Sequence, residues 1–159
     1  MKKRDRDALP SQVLKKFRLI YGSIRHHFRE VEETCGVSGS QLWLLQEVAR
    51  TAGVGVSELA ERLSIHQSTC SQLVEKLVAR DLIVKERSSQ DQRRVGLTLS
   101  QTAKSLLANA PGPAEGILPK ALMALPKEAL LTLDTSLAEL IAQLRIRDDR
   151  YADKPMADW

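Results

Sequence analysis

Apolar residues recur at alternating spacings of three and four near the start of the chain. They are Leu14, Phe17, Tyr21, Ile24, Phe28, Val31 and Cys35. This spacing predicts a long helix over residues 12–35 with a narrow apolar seam, ended by Gly36. A second helix is predicted at about 40–52, capped by Ser38 or Ser40. Its segment LWLLQEVA is apolar on most faces and is therefore expected to be buried.

The middle of the chain combines short helices with a change of period. Residues 54–56 are predicted to be extended, and Ser57 is predicted to be the N-cap of a helix. A turn at Ser64 leads into a helix over 66–80, whose core stripe is Cys70, Leu73 and Leu77. The period then becomes two, which predicts a β-hairpin with strands at 82–87 and 93–99 and a charged tip.

The last third is predicted to be helical with interruptions. Ser100 is expected to cap a helix, and prolines break the segment 111–126. Pro126 fits the first turn of a final helix. Its leucines again step by three and four, at Leu130, Leu133, Leu137, Leu140 and Leu144. The tail from about residue 147 has no periodicity, so we expect it to be mobile or loosely docked.

This order of elements predicts a mainly α fold with a small β-hairpin wing. A winged helix-turn-helix core would span residues 38–100, flanked by dimerisation helices at 12–35 and 101–145, in a single domain over 1–159. In such a core, a short helix braces a second one so that its exposed side can enter the major groove of DNA. The hairpin can reach the adjacent minor groove and the phosphates.

Charge is concentrated in this predicted core. The whole chain carries a net charge of +4, and residues 62–94 contain seven basic and four acidic residues, a net charge of +3. A concentrated basic patch suits binding to a polyanion through counterion release. The alternative is a soluble hairpin that happens to be basic.

The exposed side of the predicted second helix carries hydrogen-bonding side chains. With the core stripe turned inward, the outward positions near its start are Gln67, Ser68, Ser71 and Gln72. Such side chains can reach base edges and phosphates, and the basic residues Lys76 and Arg87 would add phosphate contacts. These residue types are also common on an ordinary solvated helix face, which is the alternative.

The segment VSELAERLSIHQSTCSQLVEKLVARDLIVKERSSQDQRRVGLTLSQTA resembles the DNA-binding core of MarR-type regulators. The most specific part is the acidic-x-Arg motif Asp91-Gln92-Arg93, followed by Leu99-Ser100. The resemblance implies that Arg93 inserts into the minor groove, that Asp91 orients it, and that Arg94 assists. It further implies a homodimeric repressor of a pseudo-palindromic promoter site and a small-molecule effector that releases it.

Two positions depart from the family pattern. Asp81 stands where the family usually has Gly between the recognition helix and the strand, and it places a negative charge there. Ala103 stands where a Gly often follows the Leu-Thr step. Neither departure removes a side chain expected to contact DNA.

The first and last helices have apolar seams that a winged helix of this size does not need for its own core. We expect them to form a homodimer, with intramolecular packing of the two helices as the alternative. The resemblance places an effector in the crevice between the dimer helices and the core. Position and chemistry make Tyr21, His27, Trp43 and Arg50 candidates to line it, although Trp43 can also be simple core.

Other classes of site have little support. His26 and His27 with Glu30 and Glu33 lack a convincing third ligand group, so no metal is expected, and no cofactor or catalytic arrangement has a recognisable signature. Cys35 and Cys70 form no CxxC pair, which disfavours a disulfide framework or a zinc site and leaves a cysteine-based redox sensor as one alternative.

Two further expectations concern class and location. A second alternative function is a winged-helix protein-interaction module without DNA binding, which the basic wing disfavours. The charged start leads into no apolar stretch, so neither a signal peptide nor a membrane span is expected. The expected location is cytoplasmic, with nucleoid association when the protein binds DNA.

Overall fold

The computed structural model describes residues 3–87, 95–145 and 147–156. The α-helices in these ranges are α1 Lys3–Cys35, α2 Gly39–Arg50, α3 Val56–Leu63, α4 Gln67–Ala79, α5 Gln101–Asn109, α6 Ile117–Met123 and α7 Lys127–Ala142. The strands are β1 Ile83–Arg87 and β2 Val95–Leu99, and a short 3-10 helix covers Asp149–Asp153. The mainly α fold with a small hairpin is confirmed.

Helix α1 is longer than its apolar seam. It begins at Lys3 rather than near residue 12 and contains Pro10. The predicted start was set where the apolar period begins. The mostly charged residues before residue 12 lack this period, but they still favour a helix. Its end agrees with the prediction, because Gly36 has a φ of +66° and its N–H donates to the Glu32 carbonyl.

Helix α2 is the buried centre of the fold. Ser38 caps it through a capping box with Gln41, so the sequence-based choice between Ser38 and Ser40 is settled for Ser38. Leu42, Leu44 and Leu45 are fully buried in the main hydrophobic cluster. The helix thereby forms the base against which α3, α4 and α5 pack.

The start of α3 differs from the prediction. Gly55, and not Ser57, is the N-cap, and its carbonyl accepts from the Leu59 N–H at 3.0 Å. Val56 is consequently helical rather than extended. The sequence favoured Ser57 because serine is a strong capping residue, but only Val54 keeps an extended pairing, a bridge to Leu97. The left-handed Ser64 then ends α3 and turns the chain into α4.

The hairpin packs against the helical core through its base. Strands β1 and β2 are antiparallel, with Ile83 opposite Leu99 and Arg87 opposite Val95. Ile83 and Leu97 are buried in the main cluster. The tip of the wing, residues 88–94, lies outside the described residues, and with it lie Asp91, Arg93 and Arg94.

The chain after the hairpin is partly as predicted. Ser100 caps α5 by accepting from the Ala103 N–H at 3.1 Å, and α5 ends before Pro111. Pro126 is the N-cap of α7 rather than part of its first turn. The tail is more ordered than expected, because it forms a 3-10 helix whose Asp153 carbonyl accepts from the His66 N–H at 3.1 Å.

Helices α1 and α7 expose large apolar side chains. Leu14, Phe17 and Ile20 on α1 are each at least 40% exposed, and none of the described residues of α7 is buried. Apolar surface of this extent on two helices is typical of a face that another chain covers. The seam of α1 is thus divided: Ile24 and Val31 are buried, whereas the earlier part of the seam remains exposed on the single chain.

Candidate nucleic-acid interface and the neighbouring cavity

Helix α4 has two chemically distinct faces. Cys70, Leu73, Val74 and Leu77 are buried against the rest of the core. The opposite face carries the predicted reading residues. Gln67, Ser68, Gln72 and Lys76 are exposed, and Ser71 is partly buried. The structure therefore brings these five polar side chains to one accessible side of α4.

Helices α3 and α4 form a tight helix-turn-helix around Ser64. Ser64 adopts φ 54° and ψ 44°, and its N–H donates to the Glu61 carbonyl at 3.1 Å. His66 then caps α4 without a side-chain cap bond, and its Nδ1 lies 3.0 Å from the Ser68 hydroxyl. This turn fixes the direction in which the first residues of α4 leave the core.

The described part of the hairpin contributes exposed basic side chains beside α4. Arg87 is exposed at the end of β1, and Lys85 pairs with Glu75 of α4. Arg62 is less available than its charge suggested, because it binds Glu58, Glu47 and the Thr51 hydroxyl. Part of the positive charge counted in the sequence is thus neutralised within the fold.

The charged network around Glu47 was missed by the sequence analysis. Glu47 lies inside α2 with only 8% of its side chain exposed, and its carboxylate oxygens lie 2.6 Å from Arg50 and 3.6 Å from Arg62. The segment LWLLQEVA hid this acid within an apolar run. The one available sequence signal was Arg62 in the next helix, a basic residue that could pair with Glu47.

The backbone conformation of Asp81 explains why an aspartate can replace the usual glycine at this position. It connects α4 to β1 with a φ of +54°, in the left-handed region that favours glycine. Aspartate is one of the few other residues that tolerate this region. The position therefore has the backbone conformation that a glycine would adopt. The aspartate side chain makes this conformation less favourable than it would be for glycine.

A small cavity of about 70 Å³ lies between α1, α2, α6 and the tail. Its lining is mostly apolar and includes Ile24, Phe28 and Trp43. His27 also lines it, and the His27 Nε2 donates to the Pro113 carbonyl at 3.1 Å. The imidazole is thereby held by the proline-broken segment that follows α5.

Two of the four predicted effector residues, Tyr21 and Arg50, do not line this cavity, and their place in a crevice between dimer helices and core stays a prediction. Tyr21 is 52% exposed on α1, with the guanidinium of Arg25 5.8 Å from its ring centre. Arg50 is exposed at the end of α2 and paired with Glu47. Neither lines the cavity.

Both cysteines have thiols that are harder to ionise than a free cysteine. Burial raises the pKa of Cys70 to about 11, and partial burial also raises the pKa of Cys35. The nucleophilic form of cysteine is the thiolate, so neither environment activates a thiol for oxidation. The inert, core-filling interpretation of Cys70 is favoured.

The comparisons with known proteins agree with this architecture. The sequence model of the MarR family matches residues 36–94, from the end of α1 to the wing. These residues contain α2, α3, α4 and β1, so the matched segment covers the helix-turn-helix and the first strand of the hairpin. A curated relative, the HTH-type transcriptional repressor MdtR of Bacillus subtilis, is 24% identical over 125 residues, which cover 79% of this chain and 81% of that protein.

Solved structures similar to this chain have the same fold. The YusO protein of Bacillus subtilis has a TM-score of 0.54 and 22% identity, covering 87% of this chain and 98% of that one. The S. aureus MepR–DNA complex has a TM-score of 0.56 and 18% identity, covering 81% and 94%. At these identities the likeness establishes the shared fold.

The described ranges contain neither a metal-binding cluster nor a membrane-spanning helix. Among those residues, His, Cys, Asp and Glu side chains form no group of three or more that could hold a metal ion. None of the helices described there is long and apolar enough to span a membrane.

Proposed function

We propose that this chain is a sequence-specific, double-stranded-DNA-binding transcriptional regulator that represses a promoter as a homodimer. The observation that carries the proposal is the division of α4 into a buried apolar stripe and an accessible row of Gln, Ser and Lys side chains. A helix braced in this way by a helix-turn-helix can enter the major groove without disturbing the core.

The proposed roles follow the chemistry of each side chain. Gln67 and Gln72 would hydrogen-bond to base edges, since an amide both donates and accepts. Ser68, Ser71 and Lys76 would contact phosphates and fix the register. The glutamines would therefore distinguish one DNA sequence from another, and the other three side chains would position the helix on the DNA.

The wing would add a second contact with DNA. Arg87 would bind the backbone beside α4. The sequence motif assigns Arg93, supported by Asp91 and Arg94, to the minor groove. Together α4 and the wing would bind the major groove and the adjacent minor groove of one half-site.

The dimer is proposed from the exposed apolar rows of α1 and α7. Burying these rows against a second copy would remove their exposed apolar side chains from water. A two-fold axis would then present two α4 helices to successive major grooves, which calls for an inverted repeat with half-sites about one helical turn apart.

Repression and effector binding are proposed from different observations. The curated relative MdtR is named a transcriptional repressor, which supports repression here. The cavity lined by Ile24, His27 and Trp43 supports a small, largely apolar effector. A regulator of this kind would act in the cytoplasm, where it meets chromosomal DNA.

Selection of random double-stranded DNA by the purified protein, at near-physiological salt, tests the proposal. The expected product is an inverted repeat with half-sites about one turn apart. Recovery of no shared sequence by a folded protein would contradict sequence-specific reading and favour a protein-interaction module instead.

Substitution on α4 then separates reading from folding. Gln72→Ala is expected to lower affinity for the selected site by about 1–3 kcal/mol and to relax the sequence preference at one position. The matched control is Gln101→Ala, which truncates an exposed glutamine at the start of α5, outside the proposed reading helix. Equal affinities of the two variants would remove Gln72 from the interface.

A further inference from the structure

The C-terminal segment 147–156, here called the tail, contacts two functional regions at once. The Asp153 carbonyl accepts from the backbone N–H of His66, at 3.1 Å. Two and three residues further on, Pro155 and Met156 line the cavity together with Ile24 and Trp43. The tail therefore links the cavity to the beginning of α4.

The contact with His66 occupies a backbone group that DNA would use. The first N–H groups of a helix have no partner within the helix, and they attract phosphate oxygens. His66 is the N-cap of α4, and Gln67 and Ser68, two of the proposed DNA-contacting residues, follow it directly. A tail carbonyl on the His66 N–H thus stands where the DNA backbone would approach.

The tail keeps its shape through local ion pairs. Asp148 caps the 3-10 helix by accepting from the Arg150 N–H at 3.0 Å, and its carboxylate binds the Arg150 guanidinium. Arg147 pairs with Asp149 in the same way. These hydrogen bonds to arginine lower the pKa of Asp148 to about 2, so the pairing persists at neutral pH.

We propose that the tail is an autoinhibitory strap: Met156 and Pro155 anchor it in the cavity, and its Asp153 carbonyl competes with DNA for the beginning of α4. The inference rests on the proposed function, because competition requires that α4 binds DNA. The strap is released when DNA binds or when the anchor leaves the cavity. The strength with which Pro155 and Met156 hold the tail therefore sets the fraction of molecules in which α4 can bind DNA.

The test loosens the anchor and leaves the rest of the full chain in place. Met156→Asp puts a carboxylate into the apolar cavity, which disfavours docking of the tail. Hydrogen exchange of the His66 amide is expected to accelerate by about tenfold, roughly the value of one hydrogen bond. Affinity for the selected DNA is expected to rise several-fold, although the added negative charge alone would lower it.

The matched control is Ala152→Asp, which adds the same charge to an exposed position of the tail and leaves the anchor intact. It is expected neither to accelerate exchange at His66 nor to raise DNA affinity. Unchanged exchange in Met156→Asp would overturn the anchoring. Faster exchange with unchanged or weaker DNA binding would overturn the competition.

Failure of the proposed function would be visible separately. If the wild-type chain bound no DNA in the selection, the regulator proposal and the competition would both fall, whereas exchange at His66 would still report whether the anchor holds the tail. The wild-type titration therefore distinguishes that failure from failure of the strap alone.

Discussion

Gly53 and Gly96 meet backbone to backbone where the wing joins the helical core. A Cβ on Gly96 would lie 2.8 Å from both the Cα and the carbonyl oxygen of Gly53. Beside this contact, the Gly53 N–H donates to the Leu97 carbonyl at 2.8 Å, and the Leu97 N–H donates to the Val54 carbonyl at 3.0 Å. The base of the wing is thus fixed to the loop before α3 by backbone groups.

Gly96→Ala is expected to destabilise the protein. The methyl group would meet backbone, which cannot rotate away, so either the wing or the loop must shift, at a cost of about 1–3 kcal/mol. Urea unfolding measures the loss. Gly22→Ala is the control, because Gly22 lies within α1 and nothing is within 4 Å of an added Cβ. An equally small effect of both changes would contradict the contact.

Asp81→Gly is expected to stabilise the fold. A left-handed φ of +54° strains any residue with a Cβ, and glycine relieves this strain while it adds flexibility to the unfolded chain. The net gain should be about 0.5–1 kcal/mol in the free energy of unfolding. Asp81→Asn removes the charge but keeps the Cβ. If the Asn variant gained as much as the Gly variant, charge and not backbone conformation would be the cause.

Glu47→Gln is expected to destabilise the junction of α2 and α3. Glu47 is nearly buried, and the change leaves Arg62 with a weaker partner inside the fold. Because Arg62 is 30% exposed, water offsets part of the loss, and we expect about 2 kcal/mol. Chemical denaturation checks this value.

Glu58→Gln is the matched control for this network. It removes the other carboxylate that pairs with Arg62. The Glu58 side chain is 54% exposed. An exposed pair of this kind should contribute no more than about 0.5 kcal/mol. A larger loss for Glu58 than for Glu47 would show that burial does not govern the network.

Much of the fold could be predicted because local signals and packing agree. The core stripe of α4, the cap at Ser100 and the glycine that ends α1 each depend on a few neighbouring residues. Ser57 shows the limit of such signals. A serine has a strong intrinsic preference for the N-cap, but the pairing of Val54 with Leu97 fixes the chain two residues earlier and makes Gly55 the cap.

The parts of the site that could not be predicted depend on contacts between distant segments. His27 meets the Pro113 carbonyl, and Met156 reaches the same cavity from the far end of the chain. Periodicity assigns a residue to a helix face but does not say which segment covers that face. The lining of this cavity by Pro155 and Met156 could therefore not be predicted from helix position.

The stability of the protein is expected to fall at high pH partly through Cys70. Its pKa is about 11 in the folded chain against 9.0 for a free thiol. The folded state therefore favours the neutral thiol, and this contribution is fully present below pH 9 and is lost as the pH rises towards 11. Unfolding of the wild type and of Cys70→Ala between pH 8 and 11 measures it. Parallel pH profiles for the two proteins would contradict the assignment.

Arg93→Ala is expected to weaken DNA binding by about 1–3 kcal/mol, the loss of a groove-inserted arginine. The sequence motif assigns Arg93 to the minor groove, and a side chain inserted there contributes more than a charge near the DNA. An anisotropy titration with the selected DNA gives the affinity. Arg145→Ala, which removes an exposed arginine after α7, is the control for net charge. If both variants lost the same affinity, the loss would reflect overall charge, and Arg93 would have no specific place in the groove.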